Sequence, residues 1–232
     1  MPTLGEVVEE VMERAPRDAS GRLQQDPNLV AGWVSSRYML ALQRWPWSFL
    51  QADSSITTVA NTRSYALASD FWRPWYFRNV TTGRRMLRKP VGWMDTVDPA
   101  SSHTGPPVAW DLWAGQVVFW PTPDGAYTVA YRYLKQPQRP SKASDTILFD
   151  NTLFLVYGAL SEACSYLAGL SNQPQMFEAA RNFEAQAELM LESMIEVDRT
   201  KVGLPTYQDE SEDYAALGAD AETTRRFDFW TP

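Results

Sequence analysis

From Val117 to Tyr133 the chain has few alternatives to β-structure. Tyr127, Val129, Tyr131 and Tyr133 occupy every second position, with Thr128, Ala130 and Arg132 between them. Strand side chains alternate between two faces, so this spacing predicts a half-buried antiparallel strand. Ahead of it, Val117-Val118-Phe119-Trp120 is a short run of β-branched and aromatic residues. Pro121-Thr122-Pro123-Asp124-Gly125 lies between the two. Neither proline can donate to a ladder, and Asp-Gly supplies the positive φ that a reversal needs. The expected element is a β-hairpin with a proline-stiffened loop.

The segments before it read as helices and then strands. Thr3 and Glu6 form a Thr-x-x-Glu capping box, with Leu4, Val7, Val8, Val11 and Met12 behind it at helical spacing, ending near Pro16. Asp26-Pro27 marks a second start, an N-cap followed by proline at the first helical position. Val30, Trp33, Val34 and Leu40 to Leu42 carry that helix to about Arg44, and Pro46 ends it. Trp45-Pro46-Trp47-Ser48-Phe49-Leu50 is too aromatic for a solvated loop and is expected to pack helix against sheet. Strands are expected at 55–59 and 64–67. Trp75–Val80 and Arg84–Leu87 form a second hairpin candidate around Thr81-Thr82-Gly83, residues 95–107 a loop, and 108–113 a further strand.

After the strands the pattern returns to helix. Asn151–Leu170 is apolar on nearly every turn, and Gly158, Ala159 and Ala163 would let a neighbouring helix come close. Beyond Pro174, Met176, Ala180, Phe183, Ala187, Met190 and Met194 form a heptad-like seam to about Thr200. The fold class expected is α+β. Residues 1–50 and 141–204 supply the N- and C-terminal helices of a helical bundle, 51–140 an inserted antiparallel β-sheet or sandwich, and 205–232 an extended tail.

The 232 residues suffice for a real core, and their net charge is −7. Between Pro205 and Pro232, Asp209, Glu210, Glu212, Asp213, Asp220, Glu222 and Asp228 stand against Arg225 and Arg226, a balance of −5 that leaves −2 elsewhere. Fully extended, that tail reaches roughly 90 Å at ~3.3 Å per residue. It ends in Phe227-Asp228-Phe229-Trp230, aromatics that suit a partner's pocket better than the chain's own core. Ordering on docking is the expectation for this segment. An acidic chain releases no counterions from nucleic acid, so its charge speaks against sequence-directed DNA binding. The ten tryptophans serve either a large aromatic core or sheet faces that meet another subunit.

The chemistry-bearing patterns are sparse. Cys164 is alone and His103 is the only histidine, which excludes a disulfide framework and a two-histidine metal site. There is no phosphate loop, no dinucleotide fingerprint and no Gly-x-Ser-x-Gly elbow. His103 follows Ser102 in a loop, and adjacency in sequence is not a triad. No apolar run approaches 18 residues and no signal peptide stands at the start, so a soluble chain made in a cytoplasm is expected. The reading is of no enzyme and no cofactor. Arg84-Arg85-Met86-Leu87-Arg88-Lys89 is the one basic cluster. It suits an acidic partner or the acidic tail of a neighbouring copy, and equally a solvated hairpin edge blunted by charge.

Read in order, these segments resemble a known family. Two helices run into Trp45-Pro46-Trp47-Ser48-Phe49, and Ser64-Tyr65-Ala66-Leu67 follows. Then come Gly105-Pro106-Pro107-Val108-Ala109-Trp110, Val118-Phe119-Trp120-Pro121-Thr122-Pro123-Asp124, the alternating strand, and a leucine-rich helix holding Gly158-Ala159. Over about residues 3–200 this order resembles the head-to-tail adaptor proteins (connector, tail tubular A-like) of tailed bacteriophages. The resemblance implies a structural virion protein at the head–tail interface, made in the host cytoplasm. It implies a homo-oligomeric ring, usually a dodecamer, beneath the portal protein, with tail or nozzle proteins on the far side and DNA passing through the lumen. The residues expected to meet partners are Phe227, Phe229 and Trp230, Arg84, Arg85 and Arg88, and Trp120, Pro121 and Pro123. The competing expectation is a Trp-rich module that binds carbohydrate or a receptor, against which the helices at both ends speak. A hydrolase would require His103 to matter.

Overall fold

The computed structural model describes residues 1–15, 26–171 and 174–201. In chain order the elements are α1 (Leu4–Arg14), α2 (Pro27–Arg44), β1 (Gln51–Thr57), β2 (Ser64–Ala66), β3 (Phe71–Asn79), β4 (Arg84–Arg85), β5 (Leu87–Arg88), α3 (Val91–Val97), β6 (Ala109–Trp113), β7 (Gln116–Trp120), β8 (Thr128–Lys135), α4 (Leu153–Ser171) and α5 (Pro174–Arg199). The class is α+β, as expected. The described residues of Met1–Leu50 and Pro137–Gly203 form one compact unit, and Gln51–Gln136 another. The tail from 205 lies outside the described residues.

In the helical unit, both sequence-read starts are present. Thr3 and Glu6 close a reciprocal capping box, burying Leu4, Val7, Val8 and Val11 on one face of α1. Leu4 and Gly5 donate their free N–H groups to the carbonyls of Asp145 and Ala143. The approach is so close that a Cβ on Gly5 would lie 3.2 Å from the Ala143 side chain. Asp26 caps α2 through the Leu29 N–H at 3.1 Å, with Pro27 at the first helical position. Leu40, expected inward, is 61% exposed. Tyr38, Ala41 and Leu42 take the buried face, and at ~100° per residue Leu40 falls about 200° from Leu42.

Trp45–Leu50 finds its partners among the helices rather than against a sheet. Trp47 is 2% exposed, donates Nε1–H to the Ala41 carbonyl at 2.8 Å and meets Phe149 edge-on at 4.9 Å. Asp198, near the end of α5, is buried beneath this segment. Its carboxylate accepts from Trp45 Nε1 at 3.0 Å, the Ser48 N–H at 3.0 Å and the Ser48 hydroxyl at 2.6 Å.

Leu153–Leu170 of α4 is longer and more apolar than the sequence reading allowed. Its mean hydropathy of 1.4 and its length would let it cross a membrane. In this unit 61% of that stretch is buried, which suits a core helix among α1, α2 and α5. Gly158 makes room for α2, since a Cβ there would sit 3.2 Å from Arg37 Cδ. Arg37 reaches Glu162 of α4 and Glu184 of α5, and Arg44 reaches Glu188 and Glu192 of α5. Burial works against the Arg37 charge, and its two carboxylates more than offset this and raise its pKa. The heptad seam of α5 is only partly the buried line. Ala180 and Ala187 are buried, but the line continues through Leu191, Ile195 and Asp198 while Met190 and Met194 are half-buried.

The β unit is a sandwich of two four-stranded sheets, β1-β8-β3-β4 and β2-β7-β6-β5. Between them lie Ile56, Phe77, Val129, Tyr131 and Tyr133 of the first sheet, Trp110, Val117 and Phe119 of the second, and Met86. Phe77 stacks on Tyr131 at 5.0 Å and meets Trp110 at 4.3 Å. The alternating strand is as read, with Val129, Tyr131 and Tyr133 buried.

The hairpin expected at 117–133 is not formed. β7 and β8 belong to different sheets, and 121–127 is a crossing between them. Thr122 exchanges backbone hydrogen bonds with His103 and Gly105, Asn61 donates to the Pro123 carbonyl, and buried Thr58 is tied to Gly125 and Tyr127. A proline-rich stretch with few free donors suits such a crossing as well as it suits a turn. The true hairpin is β6–β7, closed by Ala114 (φ 49°) and Gly115 (φ 76°). A second correction concerns Arg84–Leu87, expected as one strand. Arg84–Arg85 pairs with β3, Met86 turns into the core, and Leu87–Arg88 joins the other sheet parallel to β6. Part of the loop expected at 95–107 is helix α3, which covers the outer face of the second sheet through Met94 on Ala109 and Val118.

Two stability outcomes follow. Asp198→Ala strands three donors beside Trp45 and Ser48 and should cost about 2–4 kcal/mol, read as a lower urea midpoint at constant slope. Ala114→Asn relieves a left-handed alanine in a turn that prefers Asn-Gly and should add about 0.5–1 kcal/mol by the same titration.

Candidate assembly surfaces

Strand register decides which of the expected partner residues come together. On β3 and β8 the inward pair is Phe77 with Tyr131, so the neighbouring pairs Tyr76 with Arg132 and Arg78 with Ala130 face outward. Arg85 of β4 lies directly opposite Arg78. The Arg132 and Arg85 guanidinium groups sit 5.6 and 5.9 Å from the Tyr76 ring centre. Arg78, Arg84, Arg85 and Arg132 are exposed, and Asp53 of β1 lies opposite Arg132. Among the described residues, no carboxylate lies within ion-pair distance of Arg78, Arg84 or Arg132, whereas Arg37, Arg44, Arg63 and Arg88 are all paired.

Arg88 is separated from this group. It lies in the other sheet, its Nε donates to Asp111 at 3.1 Å and its guanidinium covers Trp110 at 5.4 Å. The basic run of the sequence is thus two sites, divided by Met86. Arg78, Arg132 and Tyr76 are the members sequence reading missed. The alternation that put Arg132 opposite the tyrosines was the available signal, but only the register brings Arg78 and Arg85 to it.

Trp120, Pro121 and Pro123 are held by their own unit. Trp120 is half-buried edge-on to Trp93 of α3 at 5.3 Å, Pro121 follows it across a cis peptide, and Pro123 is buried. Phe227, Phe229 and Trp230 lie outside the described residues. The most exposed aromatic described is Trp113, 67% accessible at the foot of the two-residue turn between β6 and β7. Trp47 and Trp110 are buried and the other described tryptophans half-buried. Trp113 was counted as a strand residue from sequence, and the Ala-Gly pair after it was the cue to its position.

His103 lies in a loop organised by Asp98. The carboxylate, 3% exposed, accepts from the N–H groups of Ser102 and His103, from the Ser102 hydroxyl, and from His103 Nδ1 at 3.3 Å. Burial alone would raise the Asp98 pKa, but the donors from His103 and Ser102 win and hold it down at about 2. The Ser102 hydroxyl is directed to Asp98 rather than to His103, so the two are not arranged as nucleophile and base. His103 is 64% exposed, and the arrangement fastens the loop whose His103 and Gly105 hold Thr122.

In comparisons with known proteins, the family model described as SU10 adaptor protein matches residues 2–209. No curated protein matches the chain.

The Asp98 loop has a defined pH response. A depressed folded pKa means that the stabilisation is complete above the unfolded value of about 3.9 and is lost as pH falls toward 2. Asp98→Asn should remove that part of the acid dependence, and urea midpoints measured between pH 5 and 2 should therefore fall less steeply in the variant than in the wild type.

Proposed function

The chain belongs to the SU10 adaptor protein family, and we propose on that premise that it is a structural protein of a bacteriophage virion, an adaptor at the junction of head and tail. Its partners are the portal on one side and tail components on the other. The match over residues 2–209 carries this reading, because it spans both compact units rather than one shared fold. The finer proposal is a closed homo-oligomeric ring, a dodecamer, whose lumen passes DNA. The negative balance of the chain favours passage without retention, since phosphates gain nothing from an acidic wall.

The work of such a protein is association, and the surfaces above supply means for it. Trp113 is a large apolar side chain on a short, regular hairpin, so docking it loses little conformational freedom. The competing carbohydrate-binding reading needs a platform of exposed tryptophans. Two of the described ones are spent in cores, and among the described residues only Trp113 is exposed.

Particle mass in solution tests the proposal, with the chain alone and mixed with the candidate portal. A defined complex holding about a dozen copies supports the ring, and a chain indifferent to the portal overturns the adaptor reading. Trp113→Ala should leave the fold unchanged and weaken that association roughly tenfold or more, as expected of an interface anchor. Undiminished assembly of the variant would remove Trp113 from the interface.

A further inference from the structure

The sandwich is closed along one side and open along the other. Met86 joins β4 to β5 at the closed side, which leaves β1 and β2 as the free edges of the two sheets at the open one. Natural sheets blunt such edges by keeping them short or by placing Lys, Pro or a bulge on them. β2, β4 and β5 follow that rule, at two or three residues each. β1 does not. It runs for seven residues in unbroken register, with neither lysine nor proline and with Asp53 as its one charge. The Thr58 N–H donates to the Tyr127 carbonyl, so Ala52, Ser54 and Ile56 also direct their backbone groups to β8. Gln51, Asp53, Ser55 and Thr57 therefore turn their N–H and C=O groups away from it, and among the described residues no strand lies alongside. The core thins at the same place, where Ala52 and Ser54 of β1 and Tyr65 of β2 are only half-buried.

We infer that the free edge of β1 accepts residues 223–231 of this chain's own C-terminal segment as a fifth strand of its sheet. Addition to an edge needs an extended peptide whose side chains suit both faces. Thr223-Thr224-Arg225-Arg226-Phe227-Asp228-Phe229-Trp230-Thr231 is rich in β-formers, and Pro232 stops it. Phe227 and Phe229 fall on one face, and Arg226, Asp228 and Trp230 on the other. With the phenylalanines turned to the core side, they cover the thin edge beside Ala52 and Ile56, and Arg226 shares the outer side with Asp53. Residues 205–222 do not suit the edge, because they hold Pro205, Gly218 and most of the acids. They form a lead that can span roughly 60 Å at ~3.3 Å per residue, so the same copy or a neighbouring one can deliver the strand. The inference does not rest on the adaptor reading.

Hydrogen exchange at the Asp53, Ser55 and Thr57 amides of the full chain is the test, read by NMR. Two adjacent prolines remove a ladder donor whichever residues face β1, so the variant F227P/D228P should exchange there roughly tenfold or more faster than wild type. The control A215P/A216P, with its prolines in the lead, should match wild type. Equal rates in wild type and F227P/D228P would overturn the inference, as would loss of protection in both variants. Protection that rises with protein concentration and survives F227P/D228P would overturn it in favour of β1 of a second copy. A photoreactive p-benzoylphenylalanine in place of Phe229 gives a second readout, with cross-links expected to 51–57 or 64–66. Cross-links confined to other segments would overturn the inference. Neither readout uses a portal, so failure here is separable from failure of the adaptor reading.

Discussion

The pairing of β1 with β8 is the constraint on which the β unit rests. These strands are separated by seventy residues of chain, yet they run antiparallel in unbroken register from Gln51 opposite Leu134 to Thr57 opposite Thr128. The chain therefore enters and leaves this unit at adjacent positions, which is the geometric condition for inserting one folded unit into another. The helices on either side in sequence can then form a single unit of their own. Closing so long a loop has an entropic cost that grows only slowly with its length, and the aromatic layer between the sheets outweighs it. Phe77, Tyr131, Trp110 and Phe119 are the centre of that layer, and each comes from a different strand.

The helical unit solves its own problem by a different route. Its central helix is so apolar that composition alone leaves its environment open, and the polar groups around it define how it is oriented. Arg37 joins α2 to both α4 and α5, Gly158 lets the Arg37 stem lie against α4, and Asp198 gathers three donors from the Trp45–Ser48 segment. Buried or half-buried ionic contacts of this kind contribute less net stability than their geometry suggests. Their clearer effect is to penalise alternative packings, in which the same charges would be unpaired.

What could be read without coordinates was whatever is decided locally. The Thr3–Glu6 box and the Asp26-Pro27 start are properties of four or five consecutive residues, and both stand as read. The alternation at 127–133 correctly separated buried from exposed positions, because a period of two is intrinsic to a strand. It carried no information about which strand lies alongside, so β7 and β8 looked like partners when the prolines between them were a crossing. Met86 shows the same gap from the other side. Inside a run of three arginines and a lysine it looked like part of a charged edge, and only the proximity of two sheets makes its burial necessary. The basic face depended on register in the same way. Arg132 could be assigned to a face from sequence, but its association with Arg78 and Arg85 passes through hydrogen bonds between strands distant in the chain.

The Met86 crossing has a mechanical consequence. Arg85 and Leu87 belong to different sheets with one residue between them, so their Cα atoms are at most about 7 Å apart. Face-to-face sheets ordinarily lie about 10 Å apart, so at this corner the two layers must draw together. The Met86 corner thus limits how far β4 and β5 can move apart, because a single residue joins them.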